Sequence, residues 1–160
     1  MGSGRRVVGV LAGMAIGCCA STAHAVCIYN GELYAKTTLS QEFRDSALVI
    51  EGRVQSVRYT PGNDNEDRDP VDQDVITPIR IFKGIASAKI TFYTWHNSGG
   101  FYLDKGGKYL LFLDAVPVGE YGKKRPAGFD INYQCGQSKS WAKVSPAAIA
   151  ELKALSAGKQ

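Results

Sequence analysis

The chain has 160 residues, with 19 Lys and Arg against 15 Asp and Glu and a formal net charge of +4. That length suits one domain with a core of its own. So small a positive excess does not argue for a nucleic acid partner. Beyond the first 25 residues no apolar run of about 18 residues occurs, so no bilayer-spanning segment is expected there.

The chain opens on Arg5 and Arg6, followed by a largely apolar stretch from Val7 to Cys19 and then small residues up to Ala23-His24-Ala25. A basic start, a short apolar core and an A-x-A end predict a cleavable secretory signal over residues 1–25. Cleavage after Ala25 makes Val26 the first residue of a single domain over 26–160, in a secreted or periplasmic protein. A cut after Ala23 is the alternative. Ala15-Ile16-Gly17-Cys18 also resembles a lipoprotein box, with alanine where leucine is usual. Lipidation of Cys18 is the one route to a membrane that the sequence offers.

Export changes the cysteine count. Cys18 and Cys19 leave with the signal, and Cys27 and Cys135 remain. Two cysteines in an oxidising compartment suggest one disulfide, Cys27–Cys135, closing a long loop worth up to about 4–5 kcal/mol. Two free thiols are the other reading.

Thr38-Leu39-Ser40-Gln41 fits a capping box and predicts a short helix over 39–45. Ala47 to Tyr59 reads as a long strand. Leu48, Ile50, Gly52 and Val54 share one face, and then the parity slips to Val57 and Tyr59, the mark of a bulge. Gly52 removes a side chain where such a strand must bend. Thr60 to Asp74 reads as a turn-rich loop crowded with Asp64, Glu66, Asp67, Asp69, Asp72 and Asp74. The next strand runs from Gln73 to Phe82, with Pro78 arguing for an edge or bulge. Lys83-Gly84 makes a turn. Lys89 to Trp95 alternates, and Lys108 to Leu113 is apolar on both faces, as in a covered strand. Ala127 to Tyr133 alternates again. Ser145 as N-cap and Pro146 at the first helical position predict a terminal helix, with Ile149, Leu152 and Leu155 along one side. About five strands, the first long and bent, predict an all-β, β-rich domain with a C-terminal helix: a five-stranded Greek-key barrel of the OB type. An open sandwich is the rival.

Several segments carry a family likeness. Cys27 stands just after the expected cleavage site. Ser46 to Val54 is an apolar run ending Gly52-Arg53-Val54. Ile81-Phe82-Lys83-Gly84 forms an x-Phe-Lys-Gly turn. Gly106-Gly107-Lys108-Tyr109-Leu110-Leu111-Phe112 forms a Gly-x-x-Tyr-Leu-Leu-Phe strand, and Cys135-Gly136 precedes Trp141 and the last helix. In order and spacing, from Cys27 to Leu155, these resemble the netrin-like module of the tissue inhibitors of metalloproteinases, in its bacterial secreted form. The resemblance implies an OB barrel flanked by helices. It also implies a protein partner, with a zinc metalloprotease as the candidate, engaged through Val26, Cys27, Ile28 and Tyr29. In the animal inhibitors the first residue is a cysteine whose amino group and carbonyl chelate the protease zinc. Here Val26 sets that amine one residue away.

The remaining chemistry is sparse. His96 is the one histidine left after export, and no nucleophile elbow surrounds Ser98. Cys27, Cys135 and His96 match no zinc spacing. The acidic loop lacks the order of a calcium-binding EF-hand and reads as a solvated hairpin tip. Tyr93, Trp95, Phe101 and Tyr102 lie close in sequence. Tyr93, Trp95 and Tyr102 are the candidates for stacking a sugar or other ligand in an envelope binder, against a packing role for the same rings. Lys123-Lys124-Arg125 reads as a solvated loop. The sequence therefore predicts a binding module and not an enzyme, with no cofactor and no metal.

Overall fold

The computed structural model describes residues 28–29, 32–33, 37–61, 71–95, 101–120, 125–131 and 136–158. The expected signal, Val26, Cys27, His96, Lys123, Lys124 and Cys135 lie outside the described residues.

Two short strands, β1 (Ile28–Tyr29) and β2 (Glu32–Leu33), pair as an antiparallel hairpin. Helix α1 then runs Leu39–Asp45, as the capping box predicts. The Gln41 amide donates to Thr38 Oγ1 at 3.2 Å, and the Thr38 amide donates to Gln41 Oε1 at 2.8 Å. Two amides that a helix start leaves without partners are thereby satisfied.

Strand β3 spans Leu48–Thr60 and pairs along its length with β4, Val71–Lys83. Its first half also pairs, on the other edge, with β6, Lys108–Val116. The β3–β4 register shifts three times: between Val49 and Ile50, between Glu51 and Gly52, opposite Pro78, and between Val54 and Ser56. The last two fall where the glycine, the proline and the parity slip predict them; the first has no counterpart in the sequence reading. Past the last shift the strand departs from expectation. Val57 and Tyr59 are exposed, although the β4 residues opposite them, Asp74 and Asp72, are buried.

Strand β5 (Ile90–Trp95) pairs with β4, and β7 (Gly128–Asp130) lies between β5 and β6. The order β3-β4-β5-β7-β6 returns to β3 through the β3–β6 pairing, so the five strands form a closed ring of partners. Every contact in it is antiparallel except β5–β7, a parallel contact with one registered pair, Phe92 opposite Phe129. A two-residue strand, β8 (Lys139–Ser140), adds outside β6. A 3-10 turn, Trp141–Lys143, leads to α2, Pro146–Ala157. Ser145 caps α2 as expected, its Oγ accepting from the Ala148 amide at 3.2 Å.

Side chains on the two faces of these strands build two cores. Inside the ring, Leu48, Ile50, Val54, Ile76, Ile90, Phe92, Leu111 and Leu113 form the main cluster. Outside it, Val49, Phe82, Leu110 and Phe112 meet Phe43 of α1 and Leu152 of α2. This explains why 108–113 is apolar on both faces: one faces the ring interior and the other the helices. The molecule is thus strand-rich, with one six-stranded sheet and a C-terminal helix. Among the described residues no helix is long and apolar enough to cross a membrane.

The Phe82-Lys83-Gly84 turn has a packing reason for each residue. Phe82 is buried under the helices. Lys83 Nζ donates to the carbonyls of Arg44, at 2.7 Å, and Ser46, so a cation sits at the C-terminal end of α1. Gly84 has φ +81°, and a Cβ there would lie 2.6 Å from the Ala47 carbonyl oxygen.

Candidate functional site

The predicted N-terminal contact segment is described only in part. Ile28 pairs with Leu33 and Tyr29 with Glu32 in the hairpin. Just beyond it the chain meets the C-terminal segment, where Gln137 Nε2 donates to the Thr37 carbonyl. Glu42 of α1 is buried at this junction. Burial pushes its carboxyl above the usual carboxylate range, helped by Asp114 and Asp45, while hydrogen bonds from the Thr37 hydroxyl and the Gln137 amide pull it back. The junction thus ties helix α1 to both flanks of the chain through one buried acid.

Of the aromatic candidates Tyr93, Trp95 and Tyr102, the first does not reach the surface. Tyr93 is 0% exposed. Its hydroxyl donates to the Pro126 carbonyl at 3.0 Å, and the Arg125 guanidinium carbon lies 5.9 Å from its ring centroid. Burial pushes the pKa of that hydroxyl up, and the Arg125 charge opposes the rise. Tyr93 is therefore a packed residue, joined by Val71, Val116 and the half-buried Trp95 in a small third cluster. Tyr102 is 49% exposed. Phe101 packs on the main core, edge-on to Tyr109 with centroids 6.0 Å apart. Arg125 is buried too, so the basic run is not wholly a solvated loop. A groove of about 340 Å³ lies beside the β5–β7 contact, between Lys89, Thr91, Val116 and Phe129.

The largest departure from expectation concerns Asp72 and Asp74. The sequence assigns them to the solvated acidic loop. In the structure β4 begins at Val71, and both face the ring interior, in step with Ile76. Asp74 is 1% exposed, Asp72 5% and Thr94 3%. The register sets Asp72 opposite Thr94 and Asp74 opposite Phe92, so the two acids and the hydroxyl share one face of adjacent strands. Neither carboxyl oxygen of Asp74 has a hydrogen-bond partner, nor has Thr94 Oγ1. Burial, and then the Asp72 charge, push the Asp74 carboxyl up to about 7; the Arg58 amide pulls the other way without reaching hydrogen-bond geometry. The signal in the sequence is the period-2 step from Asp72 through Asp74 to Ile76. Hydrophobic patterning passes over it, because a carboxylate counts as a solvent-facing residue.

Among the described residues no three His, Cys, Asp or Glu side chains converge as metal ligands. Compared with known proteins, the sequence matches no family model and no curated protein.

Proposed function

We propose that this chain is a secreted, non-enzymatic binding module of the netrin-like kind. It engages a protein partner, a zinc metalloprotease by class, through the segment Val26–Tyr29. The fold proposed with it is a Greek-key barrel of the OB type. The spatial order β6-β3-β4-β5 supports the Greek key: three consecutive strands, with a later one returning beside the first. A long, bent first strand that pairs with both the second and the fourth supports the OB type.

One observation carries the family reading. The three internal motif segments, separate in sequence, pack on one another. The strand of the Tyr109-Leu110-Leu111-Phe112 motif lies directly against Leu48–Arg53, and the Phe82-Lys83-Gly84 turn closes over the start of that same strand. Common apolar strands and Lys-Gly turns, drawn at random, have no reason to meet in this way. The aromatic envelope-binder reading loses its central ring, since Tyr93 is inside the protein.

The test is inhibition of a panel of zinc proteases by the protein after export and natural processing, with its first residue fixed by intact mass. The expected result is inhibition of at least one protease, weakened tenfold or more in Cys27→Ser and in a form carrying extra N-terminal residues. A correctly processed protein that inhibits none of them counts against the reading.

A further inference from the structure

We propose that Asp72, Asp74 and Thr94 form the protein's side of a binding site for a hard divalent cation of the calcium class. The site lies inside the ring, on β4 and β5, and is independent of the protein-binding reading above.

Three observations converge. Two carboxylates two residues apart on one strand face are crossed by a hydroxyl on the neighbouring strand, directly opposite Asp72. All three side chains are more than nine-tenths buried. Asp74 Oδ1, Asp74 Oδ2 and Thr94 Oγ1 find no hydrogen-bond partner in the protein. A buried polar atom without a partner destabilises the fold, and a charged one more so. Two adjacent acids in such a place also repel. The groups described around Asp74 leave both its oxygens without a hydrogen bond. The Arg58 amide of β3 does not reach hydrogen-bond geometry with Asp74. Tyr109 of β6, which feels the Asp74 charge, already donates to Asp104 Oδ2 at 3.1 Å.

The three side chains offer oxygen. Carboxylates and a hydroxyl suit calcium, which accepts six to eight oxygens in flexible geometry. Zinc and copper prefer nitrogen and sulfur, which this face does not present.

The test is calcium chloride titrated into the exported full chain at pH 8, followed by calorimetry and thermal unfolding, with magnesium chloride as comparator. Expected are one calcium per chain, a raised unfolding midpoint and weaker binding of magnesium. Asp74→Asn is nearly isosteric and removes the charge, so it should abolish binding in a folded protein. Thr94→Val should weaken binding several-fold while leaving both acids. Asp64→Asn combined with Glu66→Gln, in the acidic segment ahead of β4, should leave binding intact. No calcium binding at pH 8 overturns the proposal. So does binding that survives Asp74→Asn, or binding lost in the Asp64/Glu66 variant.

Discussion

Asp74 makes the stability of the fold depend on pH. Its folded value, about 7, lies above the ordinary 3.8. Below that ordinary value both folded and unfolded chains hold the proton. Between the two values the unfolded chain releases it and the folded chain keeps it, so stability falls as pH rises. Above about 7 the loss is complete and constant, on the order of a few kcal/mol. Glu42 and Asp114 are also shifted upward and add slope of the same sign. Chemical unfolding in a divalent-free buffer should therefore show stability dropping between pH 4 and pH 7, with much of that slope missing in Asp74→Asn. An unchanged slope would mean that the carboxyl is solvated. None of this can be read from the residue type. A carboxylate is drawn inside only by the pairing of distant strands, and that pairing leaves no local trace. Tyr93 is hidden for a similar reason. Its strand is covered on both faces, whereas alternation within 89–95 marks only one of them.

At the scale of elements, local chemistry is much more legible. Thr38 with Gln41, and Ser145 with Pro146, give helix starts that the structure reproduces to the residue, because a cap is made by neighbours in sequence. Thr38→Ala should cost about 1 kcal/mol of stability by thermal or chemical unfolding. Strand ends are less legible. Local patterning puts Val71 and Asp72 in a loop, and Val57 and Tyr59 on a buried face, because the length of the β3–β4 ribbon is set by its partners. Gly84 is a sharper test of element geometry. Gly84→Ala puts a Cβ against the Ala47 carbonyl at positive φ, and it should destabilise by more than the roughly 0.5–1 kcal/mol that separates glycine from alanine in ordinary backbone.

At the scale of the molecule, α2 holds the outer core together. Leu152 is fully buried against Phe43, Val49, Phe82, Leu110 and Phe112, which come from four other elements. Leu152→Ala should cost about 2–5 kcal/mol. The loss should appear in one cooperative transition, since the residue belongs to a layer shared by both helices and the ring. A separate, earlier melting of α2 would show that the helix is an appendage. Of the candidate site, the sequence supplies the N-terminal segment by likeness alone and misses the interior acids. The ring itself is legible as a strand count and a bent first strand, but which strands meet to make its closure is not.

That closure has a dynamic consequence. One parallel pair, Phe92 with Phe129, joins β5 to β7, whereas β3 and β4 share eleven registered positions. The ring can therefore part at this seam and lie open as a sheet while its long ribbon stays zipped. In native-state hydrogen exchange, amides along β5 and β7 at the seam should trade their protons well before those of β3 and β4. The groove beside Lys89 and Phe129 is the outward sign of the same thin fastening.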